Sequence, residues 1–296
     1  MKELVVISGK GGTGKTSITA AFASLARNSV FADCDVDAAD LHLVMDPQIK
    51  QRADFSGGKR AVSDSDKCTG CGKCAEMCRF GAVYANNADD ENARETYSID
   101  PISCEGCKVC VEFCPVDAIA FEDAINGQWY ISETRFGPMV HAKLGIAEEN
   151  SGKLVTLIRQ KAKAIAVERK SDWLIVDGSP GIGCPVIASI TAAYIVLIGT
   201  EPTLSGQHDL ERVAELTANF GIDTLLCINK ADINTEMTEQ LCADARRRGL
   251  KVAGQIPYNE AFTKAQIMKA TLIEYTGSYI AEQVKSLWRQ VTYAAG

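Results

Sequence analysis

The sequence predicts an α/β fold: a doubly wound, mostly parallel sheet interrupted by a small α+β module. Three observations carry that expectation. The chain opens on an apolar run, "LVVIS", that turns through the glycine-rich "GKGGTGKT" into the helical pattern "SITAAFASLA". Further apolar runs, near residues 29–33, 173–177, 194–199, 223–228 and 252–256, are separated by helical stretches. Between the second and third of these six runs, eight of the twelve cysteines fall into two copies of one spacing. Strands that alternate with helices read as βαβ units, whose functional loops lie at the carboxyl ends of the strands.

Composition bounds what the chain can be. With 296 residues, 46% hydrophobic and 23% charged, it can bury one full core and a small additional module. A formal charge of −7 argues against general affinity for nucleic acid or anionic lipid. No apolar run reaches the ~20 residues that span a bilayer, and the opening "KELVVIS" has no leader pattern. A cytoplasmic protein is therefore expected, with neither nucleic acid nor membrane as a partner. In that reducing compartment, twelve cysteines point to metal rather than to disulfides.

The first strand, turn and helix have the makings of a phosphate-binding loop. Glycines let backbone N–H groups close on phosphate oxygens at a helix N-terminus, where the dipole favours an anion. Gly9, Lys10, Gly11, Gly12, Thr13, Gly14, Lys15, Thr16 and Ser17 are thus expected to hold a nucleotide. Lys15 would reach the β- and γ-phosphates, and Thr16 would bind Mg²⁺. The second apolar run ends in a row of aspartates, "VFADCDVDAADLHLVM". Asp33, Asp37 and Asp40 are candidates for metal or switch roles, or for helix caps.

The two cysteine runs follow. They are "CTGCGKCAEMC" (Cys68, Cys71, Cys74, Cys78) and "CEGCKVCVEFC" (Cys104, Cys107, Cys110, Cys114), each spaced C-x2-C-x2-C-x3-C and 36 residues apart. In this spacing three thiolates converge on one cubane and the fourth ligates the other run's cluster. Two 4Fe–4S sites result: Cys68, Cys71 and Cys74 with Cys114, and Cys104, Cys107 and Cys110 with Cys78. Structural zinc sites use four ligands in separated pairs and fit less well. The repeat closely resembles a bacterial two-cluster ferredoxin, with Ala82 and Val83, then Ala118 and Ile119, as core residues at matching offsets. Pro115 follows the second run, whereas Arg79 stands after the first. The turn-rich "FSGGKR" and "EDAINGQ" mark its borders, giving an insert at 59–124 within an outer domain of residues 1–58 and 125–296. The insert carries 13 acidic and 7 basic residues, so it holds nearly all of the chain's excess charge. That face could steer a basic redox partner.

Beyond the insert, "DWLIVDGSPGIGCPV" brings an apolar strand up to Asp177, which fits a carboxylate near Mg²⁺. Residues 178–183 then form a flexible loop suited to sensing a γ-phosphate. Of the remaining cysteines, Cys34, Cys227 and Cys242 read as packing residues, while Cys184 follows that sensing loop. The C-terminal pattern of Ile280, Val284, Leu287 and Val291 reads as a helix packed on the core.

With its early Lys10, the loop K-G-G-x-G-K-[ST] resembles that of the MinD/ParA group of ATPases. The resemblance implies that Lys10 crosses a dimer interface to the other subunit's nucleotide, and that Asp35 orients the attacking water and helps hold the metal. It also matches Asn229, in "LLCINKADI", with the group's base-binding asparagine, and Pro257 and Tyr258, in "QIPYNEAF", with its adenine-flanking loop. Residues 137–159 look like the segment linking insert and ATPase, which places Glu148, Glu149 and Lys153 near a dimer or partner surface. The implied protein is a Mg-dependent ATPase acting as a homodimer, or as a heterodimer with a similar chain. Two functions are compatible with it: ATP-gated electron delivery to a partner protein through two 4Fe–4S clusters, or assembly and carriage of iron–sulfur units.

Overall fold

The computed structural model describes residues 1–86, 95–145 and 151–296. Glu148 and Glu149 lie outside the described residues. Two compact units emerge: Met1–Ala53, Trp129–Lys143 and Ser151–Gly296 in one, Asp54–Gln128 and Leu144–Asn150 in the other.

The chain begins with β1 (Lys2–Ser8), α1 (Lys15–Leu25), β2 (Ser29–Asp33), α2 (Leu41–Met45) and β3 (Gln48–Ser63). Next come α3 (Lys73–Met77), β4 (Val83–Asn86), β5 (Thr96–Ile99), α4 (Val109–Glu112), β6 (Ile119–Thr134) and β7 (Gly137–Leu144). The remainder alternates: α5 (Ser151–Glu168), β8 (Trp173–Pro180), α6 (Cys184–Ile190), β9 (Ile195–Thr200), α7 (Leu204–Asn219), β10 (Thr224–Asn229), α8 (Thr235–Arg247) and β11 (Lys251–Ile256). Three helices close the chain: α9 (Ala261–Ile267), α10 (Leu272–Tyr275) and α11 (Tyr279–Ala294).

The expected doubly wound sheet is present, with strand order β11-β10-β9-β1-β8-β2-β7-β6-β3. From β11 to β7 every neighbouring pair is parallel. Its inner strands are apolar without alternation because helices cover both faces. Leu4, Val5, Val6 and Ile7 are fully buried, as are Leu174, Ile175 and Val176. On one face α11 buries Ile280, Val284, Leu287 and Val291, the stripe read from the sequence. Its Trp288 ring packs 5.0 Å from Phe22 and 5.2 Å from Trp173.

Two features differ from expectation. The turn-rich stretches at 55–60 and 122–128 lie inside the long strands β3 and β6, and the unit boundaries fall within those strands. Buried Asn126 explains part of this, because its Oδ1 accepts the Gly57 N–H at 2.7 Å and supports an otherwise turn-prone glycine within a strand. The sheet also has nine strands rather than six, since β3, β6 and β7 extend one edge.

The smaller unit has the internal repeat in its backbone as well as its sequence. Gly70 and Gly106 (φ 72° and 62°), Gly72 and Lys108 (71° and 68°), and Gly81 and Asp117 (65° and 51°) are all left-handed, each pair 36 residues apart. Asp64 N–H donates to Ala118 O at 2.7 Å, and Asp100 N–H donates to Ala82 O at the same distance. The two copies thus cross-bond through equivalent residues, with Ala82 and Ala118 both buried between them. Lys108 adopts without glycine's freedom a conformation that costs an ordinary residue about 1 kcal/mol or more.

Candidate functional site

Parallel strands bring their carboxyl ends to one edge, and there the loop after β1 meets the ends of β2, β8, β9 and β10. Gly12 and Gly14 hold φ at 77° and 88°, which turns the backbone into α1. At Gly14 even a Cβ would come within 2.3 Å of Asn229 Nδ2, so the residue must be glycine. The loop is braced from β10: Asn229 Nδ2 donates to Thr13 O at 2.8 Å, and Lys230 Nζ donates to Gly12 O at 3.2 Å. Asn229 Oδ1 accepts from Lys230 N at 3.0 Å. The amide expected at the nucleotide base is therefore engaged on the loop itself. Half-buried Pro257 and exposed Tyr258 follow β11, and Tyr258 N–H donates to Asp232 Oδ1 at 2.6 Å.

Lys15, 5% exposed, is the charged centre of the site. Its Nζ lies 2.9 Å from Asp177 Oδ1 and 3.2 Å from Asp35 Oδ2. Asp177, fully buried within β8, also accepts Thr16 Oγ1 at 2.7 Å and Thr19 Oγ1 at 3.0 Å. Burial works against the Lys15 ammonium, but Asp177 and Asp35 outweigh it and leave its pKa raised. Burial raises Asp35 as well, against the opposing pull of Lys15. Asp33 is raised well above the usual carboxylate range by burial and then by Asp177, and it accepts the N–H groups of Asp35 and Leu41 at 3.3 Å. Asp33 thereby fastens the start of α2 to the site.

β8 runs on to Pro180, so residues 178–180 of the expected 178–183 loop are strand; Ser179 Oγ donates to Cys34 O at 2.6 Å, and just past the strand Gly181 N–H donates to Ser8 O at 2.8 Å. The Cys34 thiol is fully buried, and burial pushes its pKa well up. Burial alone pushes Cys227 to about 12. Cys242 is buried and Cys184 is exposed. Among the described residues, no three His, Cys, Asp or Glu side chains converge on a single ion position. Mg²⁺ takes one or two carboxylates plus water and phosphate oxygens, and Thr16 Oγ1 with Asp177 supplies donors of that kind.

Lys10 is fully engaged within its own chain. Its Nζ lies 2.6 Å from Glu201 Oε1 and donates to Ser205 Oγ at 2.8 Å and Thr203 Oγ1 at 3.4 Å. Sequence reasoning missed Glu201 and Lys230, whose Nζ is 2.9 Å from Glu201 Oε2. The available signal was a lone acid just past the apolar run of β9, in "GTEPT".

In the smaller unit, one cavity is lined by Cys68, Cys71, Cys74 and Cys114, and a second by Cys78, Cys104, Cys107 and Cys110. Each therefore takes three cysteines from one run and the fourth from the other. Four thiols around each cavity are the donor set that iron–sulfur clusters require. Burial, then Cys104 and Cys107, push Cys110 up to about 11, and burial also raises Cys74. Cluster binding must therefore displace protons from these thiols. Ala118 N–H donates to Cys114 Sγ at 3.3 Å.

Comparison with known proteins agrees with both halves of this description. The family model of a 4Fe-4S dicluster domain matches residues 47–118. Protein MJ0578 of Methanocaldococcus jannaschii is 31% identical over 293 residues, covering 98% of this chain and 96% of that protein. Protein MJ0579 of the same organism is 25% identical over 266 residues, covering 79% and 83%. Among solved structures, the septum site-determining protein MinD from Pyrococcus horikoshii, complexed with Mg-ADP, superposes with a TM-score of 0.59 at 15% identity, covering 100% of this chain and 97% of that one. A ParA family ATPase from Chlorobium tepidum gives 0.55 at 14% identity, covering 97% and 98%. Likeness at such identities speaks to the fold, and the relationship itself rests on the full-length match. The chain belongs to the family of MJ0578, with a MinD/ParA-type P-loop fold that carries a 4Fe-4S dicluster domain.

Proposed function

We propose that this protein hydrolyses ATP to gate electron transfer through two 4Fe–4S clusters to a partner protein. One observation carries the reading: a single chain joins a phosphate loop whose Lys15 touches both Asp177 and Asp35 to two complete four-cysteine cavities. When bound, the clusters supply one-electron carriers and Mg²⁺ screens phosphate charge.

The chain's own residues do the rest. Backbone N–H groups of residues 11–16 cradle the phosphates, and Lys15 exchanges a carboxylate for a γ-phosphate oxygen. Thr16 and Asp177 would hold Mg²⁺. Once Lys15 turns to phosphate, Asp35 is free to orient the attacking water, and burial, by raising its pKa, strengthens it as a proton acceptor. The same exchange removes a cation from beside Asp33, which holds the start of α2. Since α2 leads directly into β3, and β3 runs into the cluster unit, a shift at Asp33 has a covalent route toward the clusters. The closed state is a dimer with a second copy or a similar chain, in which Lys10 reaches the other subunit's nucleotide. Complete quartets in both cavities favour resident electron carriers over a cluster in transit.

Two variants test the site. Lys15→Gln should lose ATP binding, whereas Asp35→Ala should bind ATP near normally and hydrolyse it about 100-fold more slowly, since one residue holds phosphate and the other positions water. Calorimetry and single-turnover assays separate the two effects. Equal loss of affinity in both variants would contradict the assigned roles.

A further inference from the structure

We propose that Glu201 is an in-chain latch that holds Lys10 back from the dimer interface until nucleotide-driven closure releases it. The inference rests on the role proposed above for Lys10. An ammonium has three donors. All three are used here, on Glu201 Oε1 at 2.6 Å, Ser205 Oγ at 2.8 Å and Thr203 Oγ1 at 3.4 Å. Lys10 therefore has no donor left for a phosphate on another chain unless it leaves these partners.

The receiving side is held by hydrogen bonds, whereas the lysine is the more exposed partner. Thr203 caps α7 by accepting Gly206 N–H at 3.0 Å, and Thr200 Oγ1 donates to Gly206 O at 3.0 Å, which fixes the turn that carries Glu201. Gly9 also packs directly on Asp209 of α7, where a Cβ would meet Asp209 Cβ at 2.3 Å. The Glu201 side chain is 14% exposed, while that of Lys10 is 31% exposed and can swing outward.

Release leaves no stranded charge. Glu201 Oε2 keeps Lys230 at 2.9 Å, and Lys230 in turn holds Gly12 O. Although burial disfavours the Glu201 carboxylate, its hydrogen bonds from Lys10 and Lys230 prevail and keep its pKa low. The arrangement thus has two states: Lys10 latched in its own chain, or Lys10 free with Glu201 still neutralised by Lys230.

Sedimentation of the full-length chain with a non-hydrolysable ATP analogue tests the latch, with calorimetry confirming that each variant still binds the analogue. Glu201→Gln removes the charge that holds Lys10. Ser205→Ala removes one contact to Lys10 and leaves the Glu201, Lys230 and Gly12 chain untouched, so it decides the matter even where Glu201→Gln disturbs the loop. Both subunits of a dimer must unlatch, so a contact worth about threefold per chain should tighten dimerisation about tenfold. Tighter dimerisation of Ser205→Ala, with Lys10→Ala monomeric, supports the latch. Dimerisation equal to or weaker than that of a dimerising wild type overturns the latch and leaves the dimer standing. A wild type that never dimerises with the analogue overturns the dimer and the latch together.

Discussion

His141 shows how a single buried side chain sets pH dependence. It lies in β7 with Nε2 2.9 Å from Ser132 Oγ, its ring 5.0 Å from that of Tyr130 and 6.5 Å from that of His42. Burial, with His42 beside it, pushes its pKa down to about 4. An unfolded chain would protonate this ring near pH 6.5, so the fold's advantage is complete above that value and is lost as pH falls towards 4. Over that window the loss is roughly 3 kcal/mol. Urea titrations of wild type between pH 7 and 4 should show this slope, and His141→Gln should flatten it. An unchanged slope in the variant would show that another group is responsible. At this scale the sequence was informative where a motif fixes local spacing: Lys10, Lys15 and Thr16 share one loop, Asp177 ends an apolar run, and Asp35 falls just past another at the position the family resemblance marks. Glu201 stands out as a lone acid after β9, but its pairing was illegible because Lys10 is 191 residues away and nothing local announces an ion pair of that reach.

Among the elements, the cysteine repeat was the most legible, because a fixed 36-residue offset appears in both ligands and backbone turns. The exchange of fourth ligands gives a sharp expectation. Cys114 lines the cavity of the first run, so Cys114→Ser should lose that cluster and keep the other. Iron should fall from about eight to about four per chain in protein purified without oxygen, with one set of cluster EPR signals surviving. Loss of the cluster held by Cys104, Cys107 and Cys110 instead would mean that each run closes its own site. The inner strands were legible as well, because strands buried on both faces are uniformly apolar. β3 was not. Most of its first half is exposed and polar, and its glycines imitate a turn until Asn126 is seen to support Gly57.

At the level of the whole molecule, charge and connectivity matter more than any one contact. Most of the formal −7 belongs to the insert that carries the two cysteine runs, a distribution that suits the basic redox partner of the proposed function. Along the chain, Asp33 is followed by α2 and β3 and then by the cysteine runs, and no motif could have revealed that Asp33 fastens the start of α2. If nucleotide gates the clusters, their electronic state must register it. Redox titration of anaerobically prepared protein, followed by EPR with and without Mg-ATP, tests this most directly. The predicted result is a nucleotide-dependent change in cluster midpoint potential or line shape in wild type that is absent in Lys15→Gln. Identical titrations and spectra with and without nucleotide, in a protein that binds ATP and holds both clusters, would contradict it.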